Sequence, residues 1–108
     1  MIIEHPSSLM IPVNAVGSFS CACNDSRWRG YWIINGSYID TSDKRSEFEE
    51  IGFSFTKNGS AYTLTVNASE AINNTLLFCD FEPSGNNLNS SISTMNAMLL
   101  VISLTSKL

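Results

Sequence analysis

VGSFSCACNDSRWRGYWI, residues 16–33, sets Cys21 and Cys23 one residue apart in a strand-like run, eleven and nine positions ahead of Trp32. Successive side chains of a strand point to opposite faces. An inward Phe19 therefore carries Cys21 and Cys23 inward and turns Ser18, Ser20 and Ala22 outward. Cys79 is the one other cysteine, so at least one thiol of this stretch is left over.

The same alternation recurs outward from this stretch, in short segments separated by Asn, Gly, Ser and Pro, while helical periodicity is nearly absent. That is the pattern of an all-β sandwich. The strands are expected as an A region over 2–13 broken by Pro6 and Pro12, B over 16–23 and C over 29–35. A short C′ or irregular link follows at 37–40, then D over 51–56, E over 61–66, F over 75–81 and G over 93–103. Asn58-Gly59 marks a tight D–E hairpin, prolines suit an edge strand, and the polar run 84–93 reads as the F–G loop with its flanks. SDKRSEFEE, residues 42–50, reads as a solvated link between C and D.

A chain of 108 residues holds one domain. Its 44 % hydrophobic and 15 % charged content argues against an extended disordered chain. A net charge of −4, with six scattered Lys and Arg, offers no basic face for nucleic acid or anionic membrane. The longest apolar run, residues 98–102, is too short to span a bilayer. MIIEHPSS lacks the basic and apolar regions of a signal peptide. The expectation is a single domain, 1–108, taken from a longer extracellular protein and reaching a membrane only through other parts of that parent.

Asn-x-Ser/Thr occurs six times, at Asn24, Asn35, Asn58, Asn67, Asn73 and Asn89, mostly at turns or strand ends where a glycan is tolerated. This points to passage through the secretory pathway. Chemistry is not indicated. His5 is the one histidine, C-x-C with a third distant cysteine matches no zinc spacing, and the acids Asp43, Glu47, Glu49 and Glu50 lack a calcium-loop pattern. No phosphate loop or nucleophile motif is present, so the chain is read as a non-enzyme without cofactor or metal.

Gly17-x-Phe19-x-Cys21, Trp32, Tyr62-Thr-Leu64-Thr-Val66, Cys79 and Ala97-Met-Leu99-Leu-Val101 resemble, in that order, the B, C, E, F and G strands of an immunoglobulin-superfamily domain of I-set or short V-like type. The likeness covers nearly the whole chain. It implies a two-sheet Greek-key sandwich with one B–F disulfide, Cys21–Cys79, packed against Trp32. Phe19, Trp32, Leu64, Val66, Leu77 and Leu99 would form its core. Two positions depart from the family: Leu77 replaces the tyrosine-corner residue, and Asn73 stands where an Asp often pairs with an Arg, leaving Arg45 without that partner. Cys23 is then either a buried small thiol beneath the B–C loop or the partner of a cysteine in another chain or segment.

With Trp32 and Cys79 inward, Tyr31 and Ile33 on C, Leu76 and Phe78 on F, and Met98 and Leu100 on G face outward together. The opposite sheet presents Ser18, Ser20, Thr63 and Thr65 instead. An apolar patch of this kind marks an interaction surface. The leading expectation is an extracellular recognition or adhesion module of a cell-surface receptor, using the GFC face on a protein ligand or on its own copy. Two alternatives stand beside it. One is a secreted immune-type module binding through its loops, with Arg27, Arg29 and the F–G loop; the other is a structural spacer of a multidomain ectodomain.

Overall fold

The computed structural model describes residues 1–25, 27–83 and 91–103. Its strands are β1 (Ile2–Glu4), β2 (Leu9–Pro12), β3 (Val16–Cys23), β4 (Trp28–Ile34), β5 (Ser37–Tyr38), β6 (Phe53–Asn58), β7 (Ala61–Asn67), β8 (Thr75–Pro83), β9 (Ile92–Ser93) and β10 (Ala97–Ile102). A helix, α1 (Ser42–Glu49), precedes β6, and a 3-10 turn, Glu70–Ile72, precedes β8. One sheet runs β1-β3-β7-β6; the other runs β2-β10-β8-β4-β5, with β9 also paired to β8. The A region thus divides between the sheets: β1 pairs antiparallel with β3, whereas β2 runs parallel to β10. Pro6, buried between them, cannot donate to a ladder and marks the crossing.

The inward residues of both sheets interdigitate as one core, in which Phe19, Leu64 and Val66 of one sheet meet Trp32, Leu77 and Leu99 of the other, all 3 % exposed or less. Burying a side chain of this size contributes about 1.5–3 kcal/mol. Cys21 and Cys79 form the disulfide across the sandwich, with Cα atoms 6.6 Å apart. Cys23 is a free, fully buried thiol. The chain therefore has the immunoglobulin-like sandwich fold.

The two departures acquire a physical meaning here. Leu77 is fully buried, and the sheets are tied instead by Tyr62 of β7. Its hydroxyl accepts the Gly30 N–H of β4 at 2.9 Å, and its ring meets Phe81 edge-on at 5.6 Å. Asn73 accepts the Val101 N–H through Oδ1 at 2.7 Å, so it serves the backbone of β10 rather than Arg45, which lies on the exposed surface of α1.

Several boundaries differ from the sequence reading. The 42–50 link is largely the helix α1, which carries no buried residue. Only half-buried Phe48 anchors it, edge-on to Phe53 at 5.7 Å. One apolar contact leaves no 3.6-residue periodicity to read, and the helix is held by its cap: Thr41 Oγ1 accepts the Lys44 N–H at 3.2 Å. Thr41→Ala is accordingly expected to destabilise α1 by about 1 kcal/mol. Faster amide exchange at Lys44 and Arg45, with the sheets unaffected, is the measurement that checks it.

Strand D begins at Phe53 rather than 51, because Ile51-Gly52 forms the exit from α1, with Gly52 at φ +113°. The D–E hairpin pairs Asn58 with Ala61, so Gly59-Ser60 is its loop and Asn58 ends the strand. Strand F runs on to Pro83. Strand G is divided: between β9 and β10, Thr94 donates its N–H to Cys79 O and accepts the Cys79 N–H on Oγ1, a side chain standing in for one ladder bond.

Candidate recognition face

β4, β8 and β10 lie side by side at the centre of the larger sheet, so their outward residues meet as cross-strand pairs, the contacts that organise a sheet face. Ile33 stands opposite Phe78, and Leu76 opposite Met98. The neighbouring strands extend this band, because Leu100 stands opposite Met10 of β2 and Ile33 opposite Tyr38 of β5. An apolar band therefore crosses all five strands.

Its accessibility is uneven. Met10 is 65 % and Leu76 40 % exposed, while Phe78, Met98 and Leu100 are half-buried. Ile33 corrects the sequence reading: it points outward yet is only 2 % exposed. Its two cross-strand neighbours are the aromatic rings of Phe78 and Tyr38, and an isoleucine between them is screened from solvent. Ile33 supports the band rather than presenting itself.

Tyr31 belongs to a different, polar half of the face. It stands opposite Asp80, donates its hydroxyl to Glu82 Oε1 at 3.2 Å, and lies under the Arg29 guanidinium, 5.3 Å from the ring centroid. Asp80 accepts from the Tyr38 hydroxyl at 3.1 Å and from Ser93 Oγ at 3.1 Å. Partial burial, chiefly, raises the Tyr31 hydroxyl above the ordinary tyrosine range; the hydrogen bond to Asp80 does so for Tyr38. Both phenols therefore remain neutral donors across the physiological range.

Arg27, the loop residue singled out from the sequence, is already engaged. Its Nε and Nη2 reach Asp25 at 3.0 and 2.8 Å, and its backbone N–H does so at 3.0 Å. These bonds hold the Asp25 carboxyl down at about 2. The F–G loop, 84–91, lies almost wholly outside the described residues, as does Asn89. Asn24, Asn35, Asn58, Asn67 and Asn73 are all exposed and lie at strand ends, turns or connections. Asn35 adjoins the band, since its Oδ1 accepts the Leu76 N–H at 2.9 Å.

Sequence reasoning missed Met10, Tyr38, Asp80 and Glu82. LMIP is apolar on both faces, so alternation gave Met10 no direction; the parallel pairing with β10 supplies it. Tyr38 sits in a two-residue strand, too short for any period. The opposite sheet presents small polar residues, with Ser20 Oγ 3.5 Å from Thr63 Oγ1. Among the described residues, no cluster of three or more His, Cys, Asp or Glu is arranged to hold a metal, and no helix is long and apolar enough to cross a membrane.

No protein-family model matches the chain, and no curated protein sequence matches it significantly. Solved structures do resemble it. A chain of the titin M10–obscurin-like 1 Ig complex superposes with a TM-score of 0.71 at 14 % identity, covering 98 % of this chain and 96 % of that one. The D1 domain of Duf (Kirre) gives 0.76 at 15 % identity, covering 95 % and 96 %. Rst D1-D2 gives 0.76 at 19 % identity and covers 95 % of this chain, which spans 49 % of that one. At such identities the likeness is one of fold.

Proposed function

We propose that this immunoglobulin-fold domain is an extracellular protein-recognition or adhesion module that engages a protein partner through the outer face of β2-β10-β8-β4-β5. The observation that carries the reading is the apolar band from Met10 to Tyr38, open to solvent at Met10 and Leu76 and bordered by the polar network of Arg29, Tyr31, Asp80 and Glu82. An apolar centre with a polar margin is the usual anatomy of a contact surface. The structural disulfide fits an oxidising compartment, outside the cytosol. One of the similar structures is a complex of titin M10 with an obscurin-like 1 Ig domain, so the fold is compatible with pairing between domains. The loop-reading alternative is less favoured, because Nε and Nη2 of Arg27 are already engaged by Asp25.

A second copy of the chain is the first partner to test. In sedimentation across a concentration series, reversible self-association is expected. Leu76→Arg and Phe78→Arg should each weaken it at least ~10-fold, about 1.4 kcal/mol, with melting unchanged. Arg27→Ala should leave it intact. Association that survives both arginine substitutions would remove this face from the reading, whereas a monomer at every concentration would exclude only the homotypic partner.

A further inference from the structure

At the end of the sandwich where β3 starts and β7 stops, an open cleft of about 370 Å3 is lined by Asn14, Glu50, Ile51, Gly52, Asn67 and Ser69, among others. We propose that this cleft seats the innermost N-acetylglucosamine of an N-linked glycan carried by Asn67 itself. The inference rests on the extracellular reading above but not on the recognition face.

Asn67-Ala68-Ser69 is an acceptor sequence, and Asn67 is exposed at the last position of β7 and is one of the residues that line the cleft. The other sequons among the described residues are placed differently. The carbonyls of Asn35 and Asn73 already hold backbone N–H groups, and Asn24 accepts from an amino group. Asn58 stands at a hairpin end, outside the cleft. Around Asn67 the polar groups are uncommitted: among the described residues the side chains of Asn14, Glu50 and Asn67 have no hydrogen-bond partner, and Ser69 makes no capping bond. They can serve the sugar's hydroxyls and acetamido group. Ile51, 47 % exposed, gives the wall a large apolar surface on which a pyranose ring or acetamido methyl can rest. Gly52 lets the wall close tightly on the Asn67 backbone, since a Cβ there would lie 2.7 Å from the Asn67 carbonyl oxygen.

Attachment must precede folding, because Ala68 is buried and its N–H is bonded to Ala15 O. In that step Asn67 Nδ2 forms a bond to C1 of the sugar as C1 parts from a lipid-pyrophosphate donor. The amide loses one proton, which the departing lipid pyrophosphate takes up in the net reaction.

The test secretes the 108-residue chain behind a heterologous leader from cells that make high-mannose glycans, maps occupancy by glycopeptide mass spectrometry, and trims each glycan to one N-acetylglucosamine. Expected are occupancy at Asn67 and, relative to Asn67→Gln, a melting midpoint higher by a few degrees with several-fold slower amide exchange at Ile51 and Gly52. Ile51→Ser should abolish the difference between the two, while the same comparison at Asn58 should show none. Asn67 left bare while other sequons are occupied, or occupied without effect, overturns the proposal. Secreted protein bare at every sequon overturns the proposal together with the glycoprotein expectation, while self-association reports on the recognition face independently.

Discussion

Replacing Cys21 and Cys79 together by alanine is expected to lower the unfolding free energy by about 4 kcal/mol, the chain-entropy value for a cross-link of this span. The bond closes a separation of 58 residues between β3 and β8, and it lies in the fully buried centre of the core. Against a total of about 5–15 kcal/mol for a domain of this kind, that is a large share. Urea unfolding of the double variant, in a Cys23→Ala background, is the measurement. The background matters because Cys23 shares the inward direction of Cys21 on the same strand and lies two residues away, where it competes for Cys79 during oxidation. Peptide mapping of refolded protein should find some Cys23–Cys79 pairing that Cys23→Ala removes. A double variant within ~1 kcal/mol of its background would contradict the assigned role.

The second large effect is expected at Gly30. A Cβ on this residue would sit 2.7 Å from the Phe81 ring and 2.8 Å from that of Tyr62, between two side chains already packed edge to face. Neither ring has room to withdraw: Phe81 is fully buried, and Tyr62 is fixed by the bond from Gly30 N–H. Gly30→Ala should cost about 1–3 kcal/mol through overpacking, and Gly30→Val should cost more. The decisive check is coupling. Phe81→Leu should recover part of the loss in Gly30→Ala, a non-additivity of at least ~0.5 kcal/mol in a double-mutant cycle. Additive effects would mean that the contact is not the cause.

Gly30 also shows where a sequence stops being legible. Alternation on strand C turned position 30 inward, correctly, but two rings converging there from β7 and β8 cannot be read from a local pattern. Strand E was legible because AYTLTVN alternates inward apolar and outward polar residues, whereas B, C and F, apolar on both faces in part, were legible because Trp32 and the cysteines fixed their phase. Helix α1 was not, because a solvated helix held by one Phe and a Thr cap writes no period. Strand G was read as continuous because Thr94 replaces a backbone partner with its hydroxyl, a substitution visible only once Cys79 is opposite it. At the candidate face, alternation gave direction but not accessibility. Ile33 and Leu76 both point outward, and their difference in exposure depends on the neighbouring strands.

The parallel pairing of β2 with β10 has a mechanical consequence. The chain enters beside Cys23 and runs down through β1 and β2, while β10 leaves toward the opposite end. A pull on the two ends therefore slides β2 along β10 and β1 along β3, straining each set of ladder bonds together rather than opening them one at a time. The Cys21–Cys79 bond sends the remaining tension straight from β3 to β8, so the chain between them bears no load while those edge pairings hold. A domain tethered at both ends would keep its outer face assembled under tension until the β2–β10 ladder shears.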